Sequence, residues 1–183
     1  EMDCNVMCSD KRPVKDIDYG FVGDVKAVNA EFLSSLIEQG IVPVLAPLTH
    51  DGKGQLLNTN ADTIAGEAAK ALASYFKVTL IFCFEKPGVL LHEDDDNSVI
   101  PYISYYDFPR LVQDGTISGG MIPKIQNAFN ALQAGVSSVL ITQAESLDKL
   151  TGTTIALWFL HNCGFLELLL FLDFGVVSYN PDT

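Results

Sequence analysis

The sequence is poor in basic residues. Its 183 residues include 11 Lys and Arg against 23 Asp and Glu, which gives a formal net charge of −12. Binding of DNA or RNA by counterion release needs clustered Lys and Arg, so this balance argues against a nucleic-acid partner. It also argues against binding to an anionic membrane surface. A single nucleotide needs only a few local donors and is still compatible with this charge. The 48% hydrophobic content excludes a disordered chain and is sufficient for a full core.

Cysteines and histidines are few, and they form no recognised metal-ligand motif. The four cysteines form no C-x-x-C pair, and Cys83 lies inside the apolar run 78–84. This pattern favours buried or free thiols over structural disulfides, and hence a reducing, cytoplasmic location. The three histidines, His50, His92 and His161, are scattered along the chain. Because a zinc site needs clustered ligands, we expect no metal site built by the protein.

Neither terminal region has the pattern of a signal peptide or an uninterrupted membrane span. The sequence starts at Glu1 with no basic segment and no signal-like apolar core. The most apolar stretch is 156–175, and a membrane span needs about 20 apolar residues with few charges. Polar or small residues interrupt this stretch at His161, Asn162, Gly164, Glu167 and Asp173. A core or partner-facing segment, or a sequence not selected for this fold, is favoured over a membrane helix.

Helix and strand patterns alternate from about residue 22 onward. Apolar periodicity predicts four helices, at 30–39 with Asn29 as its cap, after Asp62, within 105–114 and at 120–133. Continuous apolar runs predict three buried strands, at 41–48, 78–84 and 137–142, although Pro43 weakens the first of them. The acidic run 93–97 is predicted to be a solvated loop. The alternation indicates an α/β domain, with a mainly parallel sheet and helices on both faces.

The first of three polar segments lies just before the second predicted helix. In α/β sheets, ligands collect where strands end and the following helices begin. An extended backbone over 58–62 would place Asn58, Asn60 and Asp62 on one side. These two amides and one carboxylate could hold a polar substrate and orient a cation. Alternatively, Asp62 only caps its helix.

The other two polar segments suit a nucleotide. The turn 85–90 follows the central predicted strand directly and could lie against a base or a ribose, although a plain connection is the alternative. The segment 115–124 opens a helix with two adjacent glycines, which lets backbone N–H groups approach an anion. Lys124 would add a positive charge one turn into that helix. This segment lacks the P-loop pattern.

Taken together, these segments resemble the acetylglutamate kinases of the amino-acid kinase family. The resemblance runs from about residue 10 to 155. It is carried by five motifs, Tyr19–Val25, Asn58–Asp62, Lys86–Leu90, Ile117–Lys124 and Gly152–Ile155. The N-x-N-A-D motif distinguishes it from glutamate 5-kinase and aspartate kinase. The resemblance implies the three-layer sandwich of the amino-acid and carbamate kinases.

The resemblance also implies a reaction and a set of site residues. The reaction is ATP-dependent phosphorylation of the γ-carboxylate of N-acetyl-L-glutamate, or of a related N-acylglutamate, in arginine biosynthesis. Asn58 and Asn60 would bind the acyl amino acid, Asp62 would orient the catalytic lysines, and Lys124 would neutralise charge on the transferred phosphoryl group. The residues expected to line the nucleotide are Glu85, Lys86, Pro87, Gly88, Val89, Leu90, Thr116, Ile117, Ser118, Gly119 and Gly120. Mg²⁺ would be carried by ATP, and the intact enzyme would be a homo-oligomer.

The sequence departs from the family pattern at three places. Glu85 stands where the family usually has Asp after the central strand. The family's N-terminal half, with its Lys-x-Gly-Gly turn and its Gly-rich substrate loop, has no counterpart. Residues 156–183 form a tail without a familiar equivalent. We therefore divide the chain into a remnant of the segment between the lobes (1–18), an ATP-binding lobe (19–155) and an atypical tail (156–183). We expect ATP binding with little turnover by this chain alone; the alternative is a non-catalytic nucleotide-binding or interaction fragment.

Overall fold

A computed structural model describes residues 6–157 and the backbone of residues 170–172 and 175–178. Within these residues the chain forms ten strands, four α-helices and one 3-10 helix. The strands are β1 (Met7–Lys11), β2 (Gly23–Val28), β3 (Leu48–His50), β4 (Leu56–Asn58), β5 (Thr79–Phe84), β6 (Tyr102–Ser104), β7 (Ser138–Gln143), β8 (Thr153–Ala156), β9 (Leu170–Leu172) and β10 (Gly175–Ser178). The helices are α1 (Ala30–Glu38), α2 (Ala61–Leu72), α3 (Phe108–Gln113), α4 (Met121–Gln133) and the 3-10 helix (Ala144–Ser146).

The strands form two mixed sheets. One has the order β2-β1-β3-β4, and the other has the order β6-β8-β7-β5-β10-β9. The pairs β1–β3, β5–β7 and β6–β8 are parallel, whereas the other neighbours in these sheets are antiparallel. The α/β class is confirmed. The pairing is mixed rather than mainly parallel, because short connections such as the one between β3 and β4 permit only antiparallel neighbours.

The core lies on one face of the larger sheet. Leu80 and Phe82 of β5 pack into a cluster that contains side chains of all four α-helices. The alternate residue Ile81 points to the opposite face, where it packs with Leu140 against Cys83 and Leu147. Among the described residues, the helices thus share one face of the sheet instead of covering both.

The predicted helices are confirmed to within a few residues, and their caps explain where they begin and end. The Asn29 side chain accepts a hydrogen bond from the Phe32 N–H at the start of α1. Gly40 follows the end of α1 with φ +76°, a conformation that favours glycine. The α2 helix is capped by Asn60, whose side chain accepts from the Thr63 N–H. The interpretation that Asp62 caps this helix is therefore wrong.

The prediction of a buried strand over 41–48 is wrong as well. This segment has no strand structure before β3, and Ile41, Val42 and Val44 are 48%, 54% and 63% exposed. Pro43 and Pro47 have no N–H to donate to a ladder, and this interrupts strand pairing on both sides of Val44. In contrast, the run 78–84 forms the central strand β5, which is flanked by β7 and β10. The acidic run 93–97 is an exposed loop, as predicted.

The apolar tail falls mostly outside the described residues, and so do all the residues that interrupt it, His161, Asn162, Gly164, Glu167 and Asp173. Its described backbone forms β9 and β10, and β10 pairs antiparallel with β5. None of the helices in the described part of the chain is long and apolar enough to cross a membrane.

Two of the four cysteines belong to the described residues. Cys8 and Cys83 are free thiols, as the spacing predicted, whereas Cys4 and Cys163 lie outside the described residues.

Candidate functional site

The centre of the candidate site is an ion pair between two helix starts. Asp62 is in the first turn of α2, and Lys124 is in the first turn of α4. These two helices pack against each other, which brings the Lys124 Nζ to 2.7 Å from Asp62 Oδ2. The two side chains are only 16% and 23% exposed. The structure therefore brings together the two residues that the sequence singled out as catalytic candidates.

The aromatic ring of Phe82 supports this ion pair from the sheet side. The Lys124 Nζ lies 5.0 Å from the centre of the ring, within the range of a cation–π interaction. Phe82 is fully buried in β5, so the lysine lies close to the carboxyl end of the central strand. Burial raises the pKa of the neighbouring Cys83 thiol, and the charge of Lys124 partly opposes that shift. A positive charge is thus held in a largely desolvated position.

The start of α4 is open and carries no competing acid. Gly120 caps the helix without a side-chain hydrogen bond, and the first turn contains no acidic residue. Gly119 has φ +53°, and a Cβ added to either glycine would meet no heavy atom within 4 Å. The Met121 and Ile122 N–H groups already donate to backbone carbonyls. An anion could therefore approach the backbone at the two glycines, rather than the first helical N–H groups, without displacing side chains.

The residues before Gly119 form a tight turn. The Thr116 N–H donates to Asp114 Oδ1 at 3.1 Å. Hydrogen bonds from Thr116 hold the pKa of the exposed Asp114 carboxyl below its usual value. The Ile117 side chain is 1% exposed and belongs to the core. Of the predicted nucleotide-lining residues here, Ile117 can therefore contribute only through its backbone, whereas Ser118, Gly119 and Gly120 are exposed.

The turn 85–90 continues from the carboxyl end of β5, and Glu85 follows Phe82 by three residues. Lys86 pairs with Asp96 of the acidic loop at 3.1 Å, and both side chains are substantially exposed. The side chains of Val89 and Leu90 are buried, so they anchor the turn rather than line an open surface. Glu85, Lys86 and Pro87 are the more accessible residues of this segment.

The amide residues occupy different positions from those expected. The extended backbone continues from Asn58, at the end of β4, to Asn60, but α2 begins at Ala61. Asp62 therefore projects from a helical turn rather than from the same extended side as the amides. The side-chain oxygen of Asn60 is engaged as the helix cap. Asn58 is exposed at the end of β4, four residues before Asp62.

Sequence reasoning missed three partners of the site. Phe82 was placed in the central strand without a role, and Asp96 was assigned to a solvated loop without its contact to Lys86. The third is Thr153, whose hydroxyl accepts a hydrogen bond from the Val89 N–H of the turn 85–90. Its motif carried the family resemblance but had no assigned role.

A cavity of about 330 Å³ lies elsewhere, between residues 12–19 and Asp24, and none of the predicted site residues lines it. The described residues contain no group of three or more His, Cys, Asp or Glu placed to hold a metal ion.

Comparison with known proteins finds relatives that are similar in sequence and solved structures that are similar in fold. Acetylglutamate kinase of Phocaeicola vulgatus is 65% identical over 153 residues, which cover 84% of this chain and 60% of that protein. The crystal structure of smu.665 from Streptococcus mutans is 34% identical with a TM-score of 0.67, covering 83% of this chain and 57% of that one. N-acetylglutamate synthase from Neisseria gonorrhoeae is 19% identical with a TM-score of 0.71, covering 90% of this chain and 38% of that one, and shows similarity of fold alone.

The resemblance to acetylglutamate kinases is thus confirmed, although the chain spans about 60% of the length of the curated relatives it matches. The family-level match extends over most of the chain. A model of the Amino acid kinase family matches residues 3–143, a range that includes Asp62, Lys124 and both candidate nucleotide segments. The chain belongs to the amino acid kinase family.

Proposed function

We propose that this chain is the nucleotide-binding part of a phosphotransferase that moves the γ-phosphoryl group of ATP to the γ-carboxylate of N-acetyl-L-glutamate or a related N-acylglutamate. The Lys124–Asp62 pair, held between the starts of α2 and α4, carries this proposal. The 65% identity to a protein named acetylglutamate kinase supports the choice of acceptor. The product of that reaction would serve arginine biosynthesis. The free thiols Cys8 and Cys83 are consistent with the reducing, cytoplasmic location that forms part of the proposal.

The reaction demands positive charge rather than covalent chemistry from the protein. An oxygen of the acceptor carboxylate attacks the γ-phosphorus, the bond from that phosphorus to the β,γ-bridging oxygen breaks, and ADP and an acyl phosphate form. Negative charge spreads over the transferred group and the leaving oxygen. Lys124 would stabilise that charge, and Asp62 would hold the ammonium group in place. Removal of one such electrostatic donor typically lowers the rate on the order of 10²–10³-fold.

The backbone around Gly119 and Gly120 fits the phosphate groups of a nucleotide. Both glycines leave open space at the start of α4, so phosphate oxygens could approach their backbone closely. The accessible residues of the turn 85–90 would then face the base or the ribose, beyond the end of β5. The buried Val89 would anchor that turn to the core.

Mg²⁺ would be bound through the nucleotide rather than through a dedicated protein cage. Such ions commonly keep several waters and bind one or two carboxylates together with substrate phosphates. In the described part of the chain no cluster of three ligating side chains is available, and the carboxylate of Asp62 already pairs with Lys124. The ion would supply further neutralisation of the phosphate charge.

A second candidate function is nucleotide binding without turnover. The coverage of the curated relatives favours it, because two fifths of their length has no counterpart in this chain. The resemblance assigns a substrate loop and a lysine-bearing turn to that part of the enzyme. If those groups are required in the same active site, this chain binds ATP but phosphorylates an acylglutamate poorly.

One pair of measurements tests both candidates. Isothermal titration with Mg-ATP should show binding that is weakened by Lys124→Met and unchanged by Lys26→Met, because Lys26 lies in an exposed pair with Asp10. ADP release in the presence of N-acetyl-L-glutamate then separates the two functions. Turnover that is abolished by Lys124→Met supports the kinase, whereas binding without turnover supports the second candidate. A wild-type chain that does not bind Mg-ATP contradicts both.

A further inference from the structure

A fully buried threonine holds the turn 85–90 from the neighbouring strand. Thr153 is the first residue of β8, and its exposed fraction is 0%. Its hydroxyl accepts a hydrogen bond from the Val89 N–H at 2.8 Å and donates one to the Ile100 carbonyl at 2.7 Å. One side chain therefore satisfies a buried donor on one side of the loop and an acceptor on the other.

The loop is closed tightly around this hydroxyl. The Ile100 N–H donates back to the Val89 carbonyl at 2.8 Å, so the two ends of the loop 89–100 are joined by both a backbone bond and the Thr153 side chain. Gly88 lies directly against this junction. A Cβ added at Gly88 would come within 2.8 Å of Thr153 Oγ1 and 2.7 Å of Val99 Cγ1. The path of the turn is thus determined by contact with Thr153.

The strand that carries Thr153 is itself firmly placed. Thr153 pairs with Ile141 in the ladder between β7 and β8. The preceding Gly152 has φ +152°, and an added Cβ would meet the Ile141 carbonyl oxygen at 2.3 Å, so only glycine allows this approach. The Thr142 hydroxyl also donates to the Thr151 carbonyl. The backbone position of Thr153 is therefore set by the sheet, independently of the loop that its hydroxyl contacts.

We propose that Thr153 is a positioning residue for the nucleotide, acting through Val89 and Ile100 on the turn 85–90. This inference rests on the proposed function, in which that turn faces the base or ribose of ATP. Without the hydroxyl, the buried Val89 N–H and Ile100 carbonyl lose their partner, and the turn can relax away from its binding conformation. Returning the turn to its binding conformation would then cost about as much as one lost hydrogen bond. We therefore expect the ATP affinity to fall about tenfold.

The choice of ligands separates positioning from a general loss of structure. Thr153→Val should raise the Kd of Mg-ATP about tenfold, whereas the Kd of Mg-tripolyphosphate, which has no base or ribose, should stay unchanged. Thr153→Ser keeps the hydroxyl and should restore ATP binding. Thr154→Val is the matched control, because Thr154 alternates to the other face of β8 and the substitution leaves its backbone hydrogen bond to the Pro101 carbonyl in place. If Thr153→Val does not fold, Thr153→Ala removes the same hydroxyl, leaves room for the freed polar groups to relax, and provides the same test.

The outcomes distinguish this inference from the function on which it rests. A selective loss of ATP affinity in Thr153→Val, restored in Thr153→Ser, supports the positioning role. Equal ATP affinity in wild type and Thr153→Val, or parallel losses for ATP and tripolyphosphate, overturns it while leaving the proposed function intact. A wild-type chain without affinity for ATP overturns the proposed function, and this inference with it.

Discussion

The Lys124 ammonium and the Asp62 carboxylate lie 2.7 Å apart although 62 residues separate them in the chain. Each belongs to the first turn of a different helix, and the packing of α2 against α4 makes the contact. Both side chains are mostly withdrawn from water. In the proposed function, this pair would place positive charge where phosphate groups approach the start of α4. Removal of either partner would leave the other charge without its counterion.

Substitutions of Lys124 and of Asp62 should have coupled effects on the free energy of unfolding. Lys124→Met leaves the partly buried Asp62 carboxylate without its cation and should lower the free energy of unfolding by about 1–3 kcal/mol. Replacing both partners, with Asp62→Leu and Lys124→Met, should cost less than the sum of the single changes. Urea denaturation measures these values. Strictly additive effects in this double-mutant cycle would show that the two groups do not interact in solution.

Asn60 should act as a helix cap in addition to any contact with substrate. Asn60→Ala removes the acceptor of the Thr63 N–H and should lower the free energy of unfolding by about 1 kcal/mol, whereas Asn60→Ser keeps a capping oxygen and most of the stability. Asn58→Ala is the control, since Asn58 is exposed at the end of β4. Equal denaturation midpoints for Asn60→Ala and wild type would contradict the capping role.

The segment before β3 should tolerate charge. Val44 is 63% exposed, so Val44→Asp should change the free energy of unfolding by no more than about 0.5 kcal/mol. The same substitution at Ile81, which is fully buried in β5, should prevent stable folding. Circular dichroism and thermal melting distinguish the two. An unfolded Val44→Asp variant would indicate that the segment 41–48 is a buried strand after all.

The thiol of Cys83 should report the charge of Lys124. Burial raises its pKa, so at neutral pH the thiol stays protonated and reacts slowly with iodoacetamide, and the rate should rise as the pH increases through that raised value. Lys124 lowers the pKa in part, so Lys124→Met should slow the reaction further at a given pH. Mass spectrometry of the Cys83 peptide follows the reaction. A faster reaction in Lys124→Met than in Lys26→Met would contradict this electrostatic account.

Local sequence patterns predicted the elements that place the site. The cap at Asn29, the apolar run of β5 and the glycines before α4 all follow from short-range rules, which depend on backbone geometry and burial. They were sufficient to put Asp62 and Lys124 at helix starts. The resemblance to a family then assigned them to one site, and the packing of α2 on α4 accounts for their contact.

Long-range pairing could not be predicted in the same way. The apolar segment 41–48 has the composition of a buried strand, but whether it pairs depends on neighbours that its own sequence does not specify. For the same reason the tail gave no indication that β10 would pair antiparallel with β5. The role of Thr153 depends on two backbone groups, at Val89 and Ile100, that come together only in the folded chain.

A titration of the isotopically labelled chain with the nonhydrolysable ATP analogue AMP-PNP and Mg²⁺, followed by residue-resolved NMR, locates the nucleotide site on the molecule. We expect the largest chemical-shift changes in the turn 85–90, in residues 116–120 and at Lys124, and none at the cavity bounded by residues 12–19 and Asp24. Changes confined to that cavity, with the Lys124 and Asp62 resonances unmoved, would contradict this placement of the site.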